Sequence, residues 1–318
     1  MSAEQVAALL TPAETAGLGA AAVQALQRAH ARLVRVDALP DKPEDTPLAA
    51  TRALWCRAAG QPMSAVAALL APLPALDDAG LAAFDNLVEQ RVSGVPLAHL
   101  VERQRFMGLE LLAGPQALIP RQETELLGEA AAVLLAEAAA QRGEALAIDV
   151  CTGCGNLALA LAARVPQARV HAADLSAEAV ALARRNTELL GVGDRVALHE
   201  GDLLAPFDTP AFIAKVDVLT CNPPYISSAR LSAMAAEIAV HEPALAFDGG
   251  PLGIRILQRL LREAPRFLRP GGWLAFEVGA GQGSGVLRRL GADAHYSELR
   301  SVSDAHGEVR AVLARRSA

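Results

Sequence analysis

The sequence predicts an α/β protein: an open, mostly parallel sheet with helices on both faces, preceded by a small helical region. Two observations carry the prediction. From residue 145 onward, short apolar runs suited to buried strands alternate with helical stretches, the pattern of parallel strands joined by crossover helices. Residues 1–95 instead show apolar positions at mixed three- and four-residue spacing, punctuated by prolines. Hydrophobic residues make up 52% of the 318, enough for a sizeable core, and much of the surplus is alanine, which favours helix. The expected organisation is a helical domain over 1–95, a hairpin connector over 96–120 and an α/β domain over 121–318.

In chain order, residues 20–36 and 48–59 read as amphipathic helices, with prolines at 40, 43, 47, 62, 72 and 74 keeping the helices short. A further helix over 81–91 ends at Ser93-Gly94. Phe106, Leu109, Leu111 and Leu112, beside Gly108 and Gly114, predict a short hairpin. A helix over 122–141 follows. Strands are then expected at 145–150, 169–173, 196–200, 216–220 and 273–278, with helices at 157–164, 177–190 and 254–267. Residues 296–303 and 308–314 read as a terminal hairpin against the sheet.

Charge and composition exclude several classes. The formal net charge of −6 rules out a strongly basic nucleic-acid coat protein. Lysine occurs only at Lys42 and Lys215, and residues 1–95 hold seven Arg and Lys against ten Asp and Glu, so the helical region is no nucleic-acid clamp. The opening MSAEQVAALL has no basic stretch before its apolar residues and does not read as a signal peptide. No run of 18 apolar residues occurs, which argues against a membrane span. Four cysteines make no disulfide framework, so a reduced, cytoplasmic setting is expected. His30, His171, His199, His295 and His306 show no metal-ligand spacing.

In sheets of this kind ligands bind beyond the carboxyl ends of the strands, where the strand order reverses. The first α/β strand runs into Asp149-Val150-Cys151-Thr152-Gly153-Cys154-Gly155-Asn156, whose glycines permit a tight turn and close approach of a ligand. The same glycines would also serve an ordinary turn. The second strand ends in Asp174, about twenty residues on, where an acid suits two ribose hydroxyls. The third leads into Gly201-Asp202-Leu203, which puts Asp202 within reach of an adenine amino group. Residues 157–160 hold no third glycine, and no Gly-Lys-Ser/Thr follows, so a nucleoside without phosphates fits better than a dinucleotide. Cys151 and Cys154 lack a second ligand pair and read as small residues filling a turn; no metal is expected.

The fourth strand ends in Asn222-Pro223-Pro224-Tyr225. Two prolines fix the backbone and leave carbonyls free to accept, and the Asn222 side-chain oxygen is a further acceptor. This set suits a planar –NH2 group, with Tyr225 offering a face for stacking.

At this point the sequence resembles a known family. Asn-Pro-Pro-Tyr after the fourth strand is similar to S-adenosylmethionine-dependent methyltransferases acting on planar amino groups. The likeness extends to Pro96-Leu97-Ala98-His99-Leu100, to Phe106-x-Gly108-Leu109 and to Leu118-Ile119-Pro120-Arg121-x-Glu123-Thr124-Glu125. His241-Glu242-Pro243, Ala246-Phe247-Asp248-Gly249-Gly250, Phe276-Glu277-Val278-Gly279 with Gln282, and Asp304-x-x-Gly307-x-x-Arg310 also match. Over about residues 90–315 the chain resembles the release-factor glutamine methyltransferases (the HemK/PrmC family).

The resemblance implies a Rossmann-like class I methyltransferase sheet with a helical N-terminal domain for substrate recognition. It implies S-adenosylmethionine as cofactor and methylation of the glutamine amide in the Gly-Gly-Gln motif of peptide chain release factors. The implied cofactor-binding set is Asp149, Cys151, Thr152, Gly153, Cys154, Gly155, Asp174, Asp202, Leu203 and Asn222. The implied catalytic set is Asn222, Pro223, Pro224 and Tyr225, holding the glutamine. The expected partner is a release factor, with no direct nucleic acid, no membrane, and a monomeric enzyme. Cys151 stands where the family usually has glycine, as in the sister group that methylates a ribosomal-protein glutamine, so that substrate stays an alternative. Adenine methylation of nucleic acid is the other. Glu242 and Glu277 either position substrate or connect loops, and Arg121 pairs with Glu123, Glu125 or a cofactor carboxylate.

Overall fold

The computed structural model describes residues 17–36, 39–233 and 236–318, so the opening MSAEQVAALL lies outside the described residues. The chain divides into two compact units, one comprising the residues up to Pro115 together with the short segment before Glu242, the other comprising the remainder.

The first unit is built from α1 (Ala20–Leu33), α2 (Pro47–Ala58), α3 (Ala65–Leu70), α4 (Asp78–Val92) and α5 (Leu97–Val101), followed by the hairpin β1 (Arg103–Phe106) and β2 (Leu109–Leu112). Side chains that compete with the backbone in helix interiors stand here at the N-caps. Thr46 accepts from Ala49 N, Ser64 from Ala67 N and Asp77 from Gly80 N. Proline at the first position of α2 costs no hydrogen bond, because that N–H has no intrahelical partner anyway. Trp55 is fully buried, packs edge-on against Phe84 at 5.0 Å and donates its indole N–H to the Pro74 carbonyl at 2.8 Å. A helix, α9 (Ala236–His241), belongs to this unit although it follows Asn222 in the chain. Its Glu237 bridges the buried Arg91 at 2.7 Å and the buried Lys42 at 3.2 Å. Within the 96–120 segment expected as a hairpin connector, the hairpin forms, and it clusters with the helices.

The second unit holds a seven-stranded sheet. Its elements are α6 (Thr124–Arg142), β3 (Ala145–Val150), α7 (Asn156–Arg164), β4 (Ala168–Asp174), α8 (Ala177–Leu190), β5 (Val196–Glu200), β6 (Val216–Cys221), α10 (Arg255–Glu263), β7 (Leu268–Glu277), α11 (Gly283–Gly291), β8 (Tyr296–Ser303) and β9 (Val309–Arg316). The strand order is β5-β4-β3-β6-β7-β9-β8. The first five pair in parallel, while β9 runs antiparallel to β7 and β8 antiparallel to β9, the expected terminal hairpin. Strand β6 is buried along its whole length, as a central parallel strand must be. The buried Asp217 carboxylate receives Leu146 N at 2.8 Å, Arg142 Nη1 at 2.6 Å and Arg269 Nε at 3.0 Å, which fixes the amino ends of β3 and β6.

Two boundaries differ from the sequence reading by four residues or more. The helix expected over 254–267 stops at Glu263 and tightens into a 3-10 turn over Ala264–Arg266, because Pro265 has no N–H to continue the ladder. Strand β7 starts at Leu268 rather than 273: Leu268 pairs with Val216 before an irregularity through Gly271 and Gly272, after which Trp273 pairs with Val218. Among the described residues no helix is long and apolar enough to cross a membrane.

Trp55→Ala should remove about 3–5 kcal/mol from the helical unit, because the cavity and the unpaired Pro74 carbonyl add to the lost burial. Urea unfolding followed by far-UV circular dichroism checks this; a loss under about 1 kcal/mol would contradict the packing described.

Candidate active site

Pairing of β3 with β6 sets Val150 beside Cys221, so the two following loops leave the sheet side by side where the strand order reverses. A cleft opens there. Of the residues expected from the sequence, it is lined by Cys151, Thr152, Gly153, Asp174, Asp202, Leu203, Asn222 and Pro224.

The loop after β3 turns through left-handed backbone, with φ of +56° at Gly153 and +86° at Gly155. A Cβ on Gly155 would also meet Ala183 and Leu159 at 3.2 Å. Cys151 occupies the same region, at φ +56°, which explains why glycine is the less strained residue at that position. Its side chain packs on the sheet core and contacts the Cys221 thiol.

Asp149, Cys154, Gly155, Pro223 and Tyr225 do not line the cleft. Asp149 points inward and is fully buried; its oxygens accept from Thr152 Oγ1 at 2.5 Å and from Thr220 Oγ1 at 2.7 Å. Burial pushes its carboxyl up to about 6, against the pull of those two hydrogen bonds. It therefore holds the loop from behind rather than meeting a ligand. The Cys154 thiol is buried too, which raises it to about 12, while its carbonyl accepts from Asn186 Nδ2 at 3.0 Å. All four cysteines are free. Among the described residues no group of His, Cys, Asp or Glu is arranged to hold a metal.

Asp174, at the end of β4, accepts from Gly153 N at 2.8 Å and from Ser176 N at 2.9 Å. Burial raises its carboxyl, and the backbone donors oppose that shift. Asp202 is half exposed and holds Arg259 Nη1 through both oxygens, at 3.0 and 2.9 Å, a pairing the sequence reading did not foresee. Among the described residues the cleft is lined by one cation, Arg121, which is held by a buried carboxylate, so the cleft suits a nucleoside without phosphates.

The loop after β6 is fixed from several directions. Asn222 Nδ2 donates to Thr124 Oγ1 at 3.2 Å, and Thr124 Oγ1 donates to Glu277 Oε2 at 2.7 Å. Tyr225 donates its hydroxyl to Glu277 Oε1 at 3.1 Å, so the phenol is tethered rather than free in the cleft. Gln282 Nε2 donates to the Tyr225 carbonyl at 3.3 Å. The 246–253 loop lies against this motif backbone to backbone: Ile226 N donates to Phe247 O at 2.9 Å and Gly249 N to Ile226 O at 2.8 Å. A Cβ on Gly249 would stand 2.7 Å from the Pro224 carbonyl, and one on Gly253 would stand 2.3 Å from that of Tyr225.

Arg121 pairs with Glu242, a partner not among those expected from the sequence. Its Nη2 bridges the buried Glu242 Oε1 at 2.6 Å and its Nη1 donates to Ile119 O at 2.9 Å, while Glu242 Oε2 accepts Ile119 N at 2.9 Å. Glu123 is taken by Arg310 instead. Thr124, which lines the cleft and touches both Asn222 and Glu277, was read from sequence only as a motif residue.

A sheet of this order, opening its cleft at the switch point, is the architecture of class I methyltransferases. The family model of the methyltransferase small domain matches residues 126–254. The hMettl16 catalytic domain, solved with a MAT2A 3'UTR hairpin, shares the fold at 14% identity and a TM-score of 0.50, over 73% of this chain and 82% of that one. The chain thus carries a methyltransferase domain of the class I fold. The release factor glutamine methyltransferase of Moorella thermoacetica is 40% identical over 73% of this chain and 79% of its own length. That of Mycolicibacterium smegmatis is 37% identical over 76% and 82%. The chain belongs to the release factor glutamine methyltransferase family.

Asp174→Ala should weaken binding of S-adenosylmethionine about 10- to 100-fold, the usual worth of hydrogen bonds to a charged group, with the fold retained. Isothermal titration calorimetry reads the change; unaltered affinity would remove Asp174 from the cofactor site.

Proposed function

We propose that this enzyme methylates the side-chain amide nitrogen of the glutamine in the Gly-Gly-Gln motif of a peptide chain release factor. The observation that carries the proposal is the orientation of Asn222, whose Nδ2 is engaged by Thr124 and whose Oδ1 is thereby left as the acceptor beside the cleft. The family membership supports the substrate. A cytoplasmic location, where release factors act, goes with this reading.

S-adenosylmethionine supplies an activated methyl group on a positively charged sulfur. Asp174, with the backbone of the 151–155 loop, is the set that would hold its nucleoside and methionine parts, and Asp202 with Leu203 would flank the adenine. An amide nitrogen is a weak nucleophile, because its lone pair is conjugated with the carbonyl. Asn222 Oδ1 and the Pro223 carbonyl, on which no described hydrogen bond ends, would each accept one N–H of the glutamine amide. Both acceptors sit on backbone that the two prolines make rigid, so the nitrogen is aimed before reaction. Orientation of this kind is worth several kcal/mol, up to about 7–11 in the ideal case. No base is needed before attack, since the departing proton is acidic once nitrogen has gained its methyl group.

Asn222→Ala should lower turnover by at least about a hundredfold while leaving the cofactor dissociation constant close to that of the wild type. The decisive assay offers labelled cofactor with a release factor, its Gln→Ala variant in Gly-Gly-Gln, a ribosomal protein and DNA. Label on the intact release factor alone is expected. Label on the ribosomal protein or on DNA alone would replace the proposed substrate, and an Asn222→Ala enzyme of full activity would remove the proposed mechanism.

A further inference from the structure

We propose that Glu277 is a positioning residue whose carboxylate, acting through Thr124, dictates which end of the Asn222 amide faces the substrate. The inference rests on the functional reading above, since it concerns how an amide substrate is accepted.

An asparagine amide has two nearly isosteric ends of opposite character, one donating and one accepting. A loop that merely holds the side chain in place does not choose between them. If Nδ2 faced the substrate amide, donor would meet donor and the glutamine would be repelled. The choice must come from a partner that itself has only one character. Asn222 is bonded to Thr124 Oγ1, a hydroxyl, which can donate or accept. The ambiguity therefore passes one step further, to Glu277.

Glu277 ends it. Its side chain is fully buried on β7, and its two oxygens are each engaged by a hydroxyl, Thr124 Oγ1 at 2.7 Å and Tyr225 Oη at 3.1 Å. An ionised carboxylate accepts only. The single Thr124 hydroxyl proton is thereby committed to Glu277, leaving Thr124 an acceptor toward Asn222. Nδ2 must then point at Thr124, and Oδ1 must point away, toward the cleft. One negative charge thus fixes the sense of two successive hydrogen bonds. The same charge receives the Tyr225 hydroxyl, which ties the last residue of the motif to the polarity of the first.

The surroundings determine when the relay operates. Burial raises Glu277, opposed by the Thr124 hydroxyl, the Arg310 guanidinium and the Tyr225 hydroxyl, with Glu123 adding to the rise. Arg310 is in turn paired with Glu123. Tyr225 is itself raised by burial and by the Glu277 charge, so it stays protonated and donating. Because burial raises the Glu277 carboxyl from its ordinary value and only its ionised form commits Thr124, activity is full above that raised value. It is lost as pH falls through it: protonated Glu277 can donate to Thr124, whose own proton is then free to turn toward Asn222.

The test compares Glu277→Gln, Thr124→Val and Thr124→Ser with the wild type in steady-state methylation of the full release factor, across pH. Glu277→Gln keeps shape and removes the charge, and should lower kcat about 10- to 100-fold, with the calorimetric affinity for S-adenosylmethionine unchanged. Thr124→Val should match it, whereas Thr124→Ser, which keeps the hydroxyl, should lose far less. The acid limb of the wild-type kcat profile should vanish in Glu277→Gln. Wild-type kcat in that variant, or an acid limb that persists in it, would overturn the relay. Failure of the wild type to methylate the release factor would overturn the substrate reading instead. The relay would then be decided on the free enzyme, by nuclear magnetic resonance of the Asn222 side-chain amide in protein labelled at asparagine. That signal should shift with pH in the wild type and not in Glu277→Gln, and a signal that behaves alike in both would refute the proposal.

Discussion

The buried carboxylate of Asp149 ties together the two halves of the chemistry. It stands at the end of β3, takes the hydroxyl of Thr152 from the loop lining the cofactor cleft, and takes the hydroxyl of Thr220 from the strand that delivers Asn222. Asp217 does the corresponding work at the other end of the same strand pair, where it gathers the Leu146 amide and two arginines. Between these two clamps the register of β3 and β6 is set, and with it the distance from the cofactor loop to the Asn-Pro-Pro-Tyr motif. A parallel strand pair has no tight turn to fix its register, so side chains buried at its two ends are well placed to do so. Such clamps are costly in isolation, since each buries a carboxylate, and both are supplied with donors to offset that cost.

The layers around the site have a consistent logic. Residues that line the cleft are held by others that do not. Asp149 stands behind Thr152, Glu277 behind Thr124, and Glu242 behind Arg121. In each case a carboxylate outside the cleft lining fixes a polar side chain that belongs to it. Positioning chemistry needs this, because a side chain able to rotate by one rotamer gives up most of the benefit of alignment. Burial behind the cleft is also what raises the Asp149 and Glu277 carboxyls.

Much of the architecture was legible in the sequence because its signals are local. Helix α8 and strands β3 and β5 have the bounds that their apolar pattern predicts, and the terminal hairpin falls where strand signals recur. The cleft was legible for a similar reason: loops at strand ends carry their own glycines, acids and prolines. What escaped was long-range. Nothing local to Arg121 points to Glu242, which lies 121 residues away in sequence, nor does anything near Thr124 point to Glu277, 153 residues on. Motif residues such as Glu242 and Glu277 could be singled out but not assigned, since the role of each is defined by a partner from another element. Asp149 was misplaced by the same limit, because a strand-end acid can face either the ligand or the interior.

The contact between the 246–253 loop and the Asn-Pro-Pro-Tyr segment has an evolutionary consequence. At Gly249 and Gly253 the space for a side chain is filled by carbonyl oxygens of the very peptide units that carry the motif. A mutation at either position would push on that backbone directly, with no flexible side chain to absorb it. These two glycines should thus tolerate less variation than many groups facing the substrate, although neither has any reactivity of its own. An attempt to redirect the enzyme to a different amide would have more freedom among the side chains lining the cleft than in this mute, side-chain-free seam beneath them.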